Sequence, residues 1–270
     1  MKKVKVGIIG CGAIGSALAK ILARRFSREA AVRYLCEVDT PKALRLKREL
    51  RGKPAIVPMN VLIRKADLVI EAASARISSA VAMKALTANK NVLIISVGGL
   101  LDNQAWQRII LRRRGQLWIP SGAVAGVDGL LATRESGIKR VTLITSKPPI
   151  GLQGAPIFKK KKFPVLVGQR RYCVFKGSAR QAVKAFPQNV NVAAILSLAG
   201  IGPDKTRVEV WTSRAYKRNK HEIFIEGGSG TIRVEITNVP SIFNPKTSAL
   251  AIFSAAAVCR KIFSSLRLGT

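Results

Sequence analysis

The chain has 270 residues, enough for two modest domains with a buried core, and its four cysteines, Cys11, Cys36, Cys173 and Cys259, are too scattered for a zinc site or a disulfide framework. Lysine and arginine number 47 against 14 aspartate and glutamate, a formal net charge of +33. The basic residues fall in short dispersed clusters (Arg24-Arg25, Arg112 to Arg114, Lys159 to Lys162, Arg170-Arg171) with no recognition-helix, zinc-finger or RNP-like pattern beside them, which argues for a solvated surface and against nucleic-acid binding.

In chain order, Val4 to Ile9 is a β-branched run, Gly10 to Gly15 is rich in glycine, and Ser16 to Arg25 carries Leu18, Ile21 and Leu22 at helical spacing. The glycines also break the helical core that a secretory leader would require. Val32 to Val38 reads as a second strand ending on Asp39, and Pro41 opens a helix running to about Arg51. Ala55 to Val57 and Leu68 to Ala72 read as strands, followed by a helix over Ile77 to Asn89, a strand over Val92 to Val97, a helix over Asn103 to Arg114 and a strand over Gln116 to Pro120. This alternation predicts a Rossmann-type, doubly wound parallel sheet over residues 1–122.

Beyond Ser121 the pattern changes. Strands of alternating polarity over Val141 to Ser146, Tyr172 to Phe175, Thr206 to Thr212, His221 to Glu226 and Gly230 to Ile236 predict a mixed or antiparallel sheet, and two helices are read at Ala179 to Phe186 and Val192 to Ala199. The second, α+β domain spans 123–246, with Lys159 to Lys162 at a hairpin tip. A last helix, about 247–268, is expected to pack its stripe of Leu250, Phe253 and Val258 on the first domain or on a twin subunit. The late apolar run is shorter than the ~20 residues a membrane span requires, so the expectation is a cytoplasmic protein, assembled as a homodimer.

Gly10-Cys11-Gly12-Ala13-Ile14-Gly15 follows a strand and opens a helix, the context in which GxGxxG seats a dinucleotide pyrophosphate on a helix N-terminus. Asp39, 24 residues past Gly15, is placed to accept from the adenosine ribose and favours NAD over NADP, a preference that Lys42 weakens. Ala13 and Ile14 in the loop and Ala73 after the fourth strand complete the cofactor candidates of the first domain. His221 is the only histidine and the obvious proton carrier near neutral pH, although a lone histidine is more often structural. Lys246 and Thr247 stand at a predicted helix N-terminus suited to a carboxylate, with a plain N-cap as the alternative. The small residues of Ser121 to Gly126 leave the sheet where the nicotinamide end belongs, or else make a tight crossover.

These segments resemble the L-aspartate dehydrogenase family from the first strand to the last helix. The resemblance rests on GCGAIG, on EAAS at Glu71 to Ser74, on SGAVAGVDG at Ser121 to Gly129, on KPP at Lys147 to Pro149, and on FPQNVNVAA at Phe186 to Ala194. AGIGPD from Ala199, NKHEI at Asn219 to Ile223 and NPKTS at Asn244 to Ser248 complete it. It implies oxidative deamination of L-aspartate with NAD or NADP, giving iminoaspartate for NAD biosynthesis, or oxaloacetate and ammonia. Carried over residue by residue, it makes His221 the catalytic group and places Ala123 and Asn191 at the nicotinamide. Asn191 and His221, with Lys246 and Thr247, then meet the substrate. The scarcity of acidic residues, and Lys176 before the Gly177-Ser178 turn, depart from the family pattern. Two other readings share the two-lobe plan: a dihydrodipicolinate-reductase-like imine reductase, whose paired histidines are missing, and a basic nucleotide- or nucleic-acid-binding protein that keeps the fold without turnover.

Overall fold

The β-branched run Val4–Ile9 forms β1, and the chain turns through the glycine loop into α1 (Ala13–Arg25). Then follow β2 (Ala30–Cys36), α2 (Thr40–Glu49), β3 (Ala55–Ile56), α3 (Met59–Lys65), β4 (Leu68–Glu71), α4 (Ala75–Thr87), β5 (Asn91–Ile94), α5 (Trp106–Ile110) and β6 (Leu117–Trp118). Every pairing in this sheet is parallel, in the order β3-β2-β1-β4-β5-β6. The order reverses between β1 and β4, so a crevice opens at their carboxyl ends, where doubly wound sheets take a dinucleotide. Ile8, Leu18, Leu35, Leu68, Ile70 and Leu93 meet in one buried cluster, each contributing roughly 1.5–3 kcal/mol by leaving water.

The second sheet is built from β7 (Ile138–Lys147), β8 (Tyr172–Ser178), β9 (Arg207–Thr212), β10 (Lys220–Gly227) and β11 (Gly230–Thr237) in the order β11-β10-β7-β9-β8. Only β7 and β9 run parallel. On β10 the residues His221, Ile223 and Ile225 are buried while their neighbours are half-exposed, so the sheet has one covered face. Helices α6 (Val127–Glu135), α7 (Ala179–Ala185) and α8 (Asn191–Ala199) belong to this unit, as do the short pair β12 (Pro240–Ser241) and β13 (Asn244–Ser248).

The last helix is α9 (Ala249–Phe263). Its Ala255, Ala256 and Cys259 enter the cluster built on Ile8 and Leu18, with Phe263 tilted on Phe26 at 5.6 Å and Arg260 over the same ring at 5.2 Å. The compact units are accordingly Met1–Pro120 with Ala251–Arg267, and Ser121–Leu250 with Leu268–Thr270. The structure, a computed structural model, describes residues 3–159, 161–187, 191–242, 244–266 and 268–269, with backbone alone at 244–246. None of its helices is long and apolar enough to cross a membrane.

Several local expectations are corrected. The buried stripe of α9 is Ile252, Ala255, Ala256 and Cys259, whereas Leu250 and Phe253 are exposed, because the small residues let the helix approach the sheet. The helix begins at Ala249, since 244–248 is extended and pairs with β12. Strand β2 stops at Cys36, α5 keeps only the middle of its expected span, and Pro156–Lys159 is a single 3-10 turn in a long connection, not a hairpin tip. Helices α3 and α6 have no counterpart in the sequence reading.

A Cβ on Gly15 would lie 1.9 Å from the carbonyl oxygen of Gly10, a backbone atom that cannot rotate away. Gly15→Ala therefore displaces the start of α1 and is expected to lose about 1–3 kcal/mol, read as a lowered urea midpoint; an unchanged midpoint would contradict this packing.

Candidate active site

Gly10 follows the first strand at φ +97°, and a Cβ there would stand 2.7 Å from the backbone of Ala72 and Ala73. Gly12 is the N-cap of α1, with nothing within 4 Å of the place its Cβ would take. Among the described residues no side chain caps this helix, and its first turn holds no acidic residue, so the amides that begin it, at Ala13 and Ile14, form the positive end of its dipole. Open space, close backbone and an anion-seeking helix end together fit a pyrophosphate.

The carboxylate at the mouth of β2 is Glu37. Its Oε2 accepts from the amide of Cys11, inside the glycine loop, at 2.7 Å, and its Oε1 accepts from Val38 and Asp39 at 2.9 and 3.1 Å. Asp39 instead caps α2, accepting from the Lys42 amide at 3.3 Å and pairing with Lys42 Nζ at 2.8 Å. Those bonds hold its carboxyl below the ordinary range. The two acids lie two residues apart, and sequence alone does not say which is spent on the helix cap.

Ala73 is exposed, and its amide donates to Glu71 Oε1 at 2.8 Å. The same carboxylate accepts from the amides of Ser74 and Ser96, both at 3.0 Å, and so ties the loop after β4 to the loop after β5. Glu71 is fully buried; desolvation raises its pKa and these bonds oppose the rise.

In the second unit, His221 faces Thr145 across the antiparallel pairing of β7 and β10, with Nδ1 3.0 Å from Thr145 Oγ1. The imidazole is 3% exposed; burial, and then the charge of Lys147, push its pKa down to about 3. It is therefore neutral. Lys147 follows Thr145 by two residues on the same face, 6% exposed, and burial lowers its ammonium to about 8. Its carbonyl accepts from Thr212 Oγ1 at 2.9 Å. No sequence signal separates this lysine from the many on the surface, except that it opens the KPP segment.

The carbonyl of Ala123 accepts from Asn238 Nδ2 at 3.0 Å, and Asn238 Oδ1 in turn accepts from Ser248 Oγ at 2.5 Å. This buried chain fixes the 121–126 segment to the start of α9. Asn191 is the exposed first residue of α8, and Thr247 is half-buried within β13. The side chain of Lys246 lies outside the described residues. Among the candidates, the structure thus groups Gly10, Gly12, Ala13, Ile14 and Gly15 at one strand-to-helix turn and links His221 to Thr145.

A family profile described as aspartate dehydrogenase, C-terminal, matches residues 128–262, and one described as homoserine dehydrogenase, NAD binding domain, matches residues 10–114. An L-aspartate dehydrogenase of Methanosarcina acetivorans is 41% identical over 271 residues, covering 99% of this chain and 100% of the relative. L-aspartate dehydrogenase 3 of Bordetella bronchiseptica is 36% identical over 269 residues, covering 100% and 98%. The chain belongs to the L-aspartate dehydrogenase family. In fold it is also similar to the crystal structure of aspartate dehydrogenase from Thermotoga maritima, with a TM-score of 0.76 at 23% identity over 99% of this chain and 100% of that one.

The neutral histidine makes this member of the L-aspartate dehydrogenase family sensitive to acid. Its native pKa of about 3 lies below the ordinary 6.5, so between those values the unfolded chain takes up a proton that the native chain refuses. Stability then falls with pH by up to about 1.4 kcal/mol per unit. Lys147, lowered from 10.5 to about 8, exacts its full penalty below pH 8 and releases it as pH rises toward 10.5. The urea midpoint of His221→Gln is expected to fall less between pH 7 and pH 4 than that of the wild type; equal falls would contradict the buried neutral imidazole.

Proposed function

We propose that the chain catalyses the NAD(P)-dependent oxidative deamination of L-aspartate to iminoaspartate, which water converts to oxaloacetate and ammonia, and that it works as a cytoplasmic homodimer. The observation that carries this reading is His221, buried and neutral against Thr145, in a chain aligned end to end with L-aspartate dehydrogenases. The glycine loop from Gly10 to Gly15 would hold the cofactor pyrophosphate and Glu37 the adenosine ribose. Ala123 and Asn191 would meet the nicotinamide, and Ala73 the middle of the cofactor.

Bound NAD(P) supplies a ring that takes up the two electrons lost when the Cα–N bond of aspartate becomes an imine. His221 handles the protons. With Nδ1–H donated to Thr145 Oγ1, Nε2 presents a lone pair that removes a proton from the substrate ammonium before oxidation, and later one from the water attacking the imine. The negative charge of the substrate lifts the proton affinity of the imidazole toward the range where such transfers are efficient.

Following NADH absorbance with L-aspartate, and in reverse with oxaloacetate plus ammonia, tests the proposal. Turnover is expected in both directions, with kcat falling roughly 10²- to 10⁴-fold in His221→Ala; a wild type with no turnover either way overturns the reading.

Glu37 also opposes a 2′-phosphate, so NADH is expected to bind more tightly than NADPH. Glu37→Ala should weaken NADH about 10- to 100-fold, the worth of charge-assisted hydrogen bonds. Asp39→Ala should lower the urea midpoint and leave the NADH Kd unchanged. Fluorescence titration of both variants checks this, and the opposite pattern would return the ribose role to Asp39.

Half-buried Ile144, Trp211 and Phe224 on the second sheet offer a face for a twin subunit. Light scattering at micromolar concentration should give twice the mass of one chain, and a monomer would remove the dimer from the proposal.

A further inference from the structure

Among the described residues, Lys147 is the only lysine or arginine that is buried, in a chain that carries 47 of them. An ammonium is withdrawn from water only against a large penalty, so a chain able to place any number of lysines on its surface has a reason for this one. Its surroundings indicate the reason. On the covered face of the second sheet, Val141 and Leu143 of β7, Ile223 and Ile225 of β10, and Val208 and Val210 of β9 are all buried and apolar. Toward the carboxyl end of β7 the same face turns polar: Thr145, Lys147, His221 and Thr212 are each no more than 6% exposed. The polarity is concentrated where the imidazole stands.

We propose that Lys147 is the group that holds a carboxylate of the substrate beside His221, an inference that rests on the aspartate reading above. The substrate in that reading is a dicarboxylate of net charge −1, with an ammonium on the carbon that bears one of the two carboxylates. A fixed positive charge next to a neutral imidazole binds one carboxylate and leaves the amine end to Nε2 of His221. The backbone is built to hold it: the Lys147 carbonyl is anchored by Thr212 Oγ1, and Pro148 and Pro149 follow at once, ending β7 and supplying no amide donors to a ligand. The charge has a second effect, for it helps to keep His221 unprotonated until a carboxylate arrives to offset it. Substrate binding thereby prepares the proton acceptor.

Lys147→Gln and Lys147→Met, with Lys147→Arg as the conservative partner, test the assignment by calorimetric titration with succinate, a dicarboxylate that cannot be oxidatively deaminated. Succinate affinity and aspartate kcat/KM are expected to fall at least tenfold in the Gln and Met variants and to recover in part in the Arg variant. The NADH Kd should stay within twofold. A lysine serving only the fold would lower the thermal midpoints of the Gln and Met variants and leave succinate binding intact. Folded Gln and Met variants that bind succinate as the wild type does overturn the proposal. Should both fail to fold, succinate must still shift the side-chain nitrogen resonance of Lys147 in lysine-labelled wild type, assigned by its loss in Lys147→Arg; no shift overturns it equally. A wild type that neither binds succinate nor oxidises aspartate defeats the aspartate reading itself, whereas an active wild type with unaffected variants defeats only the role of Lys147.

Discussion

Thr145 and His221 are Cα partners in the antiparallel ladder of β7 and β10, and Leu143 with Ile223 and Val141 with Ile225 are the next partners on the same face. Side chains on a strand alternate with a period of two, so a slip of one residue would send His221 to the open face and bring Glu222 inward. The apolar pairs forbid that slip, since it would expose buried Ile223 and Ile225. The one irregularity in this ladder falls at Glu226 and Gly227, at the far end from His221. A register set by hydrophobic burial therefore delivers the polar group, and the Thr145–His221 pair inherits its placement from the core.

The first unit uses charge differently. Of only 14 acidic residues, Glu37, Asp39 and Glu71 are gathered at the carboxyl edge of its sheet, and each accepts from backbone amides. Glu71 joins two loops from within the protein, Glu37 reaches the glycine loop, and Asp39 starts a helix. Acids are thus kept where the backbone has donors to satisfy. The basic excess is carried on the surface, where it raises the local concentration of anions, an effect that salt screens within a Debye length of roughly 8–10 Å.

The order of elements in the first unit was legible because parallel strands read as apolar runs and the glycine loop punctuates them. His221 stands out in the sequence as the single histidine of the chain, and the structure sets it on the covered face of β10 against Thr145. What escaped was whatever depends on partners distant in sequence. Nothing local shows that Glu37, and not Asp39, turns toward Cys11, since both follow the same strand. Lys147 reads as one more surface cation until β9 and β10 are laid on either side of it. The face of α9 is not evident from hydrophobicity, because Leu250 and Phe253 outrank alanine while close approach to a sheet favours the alanines. Boundaries moved for the same kind of reason: 244–248 is extended because β12 pairs with it, not because its residues demand a strand.

The helix that ends the chain is also a wall of the domain that begins it. Ala255, Ala256 and Cys259 sit in one cluster with Val6, Ile8 and Leu18, with some 240 residues of chain between them. A ribosome releases the Rossmann strands early, yet their apolar surface stays incomplete until the entire second unit has been synthesised and the last turns emerge. The first unit can collapse during synthesis but can seal only after α9 has emerged. The nucleotide-binding unit, though synthesised ahead of the second unit, is completed after it.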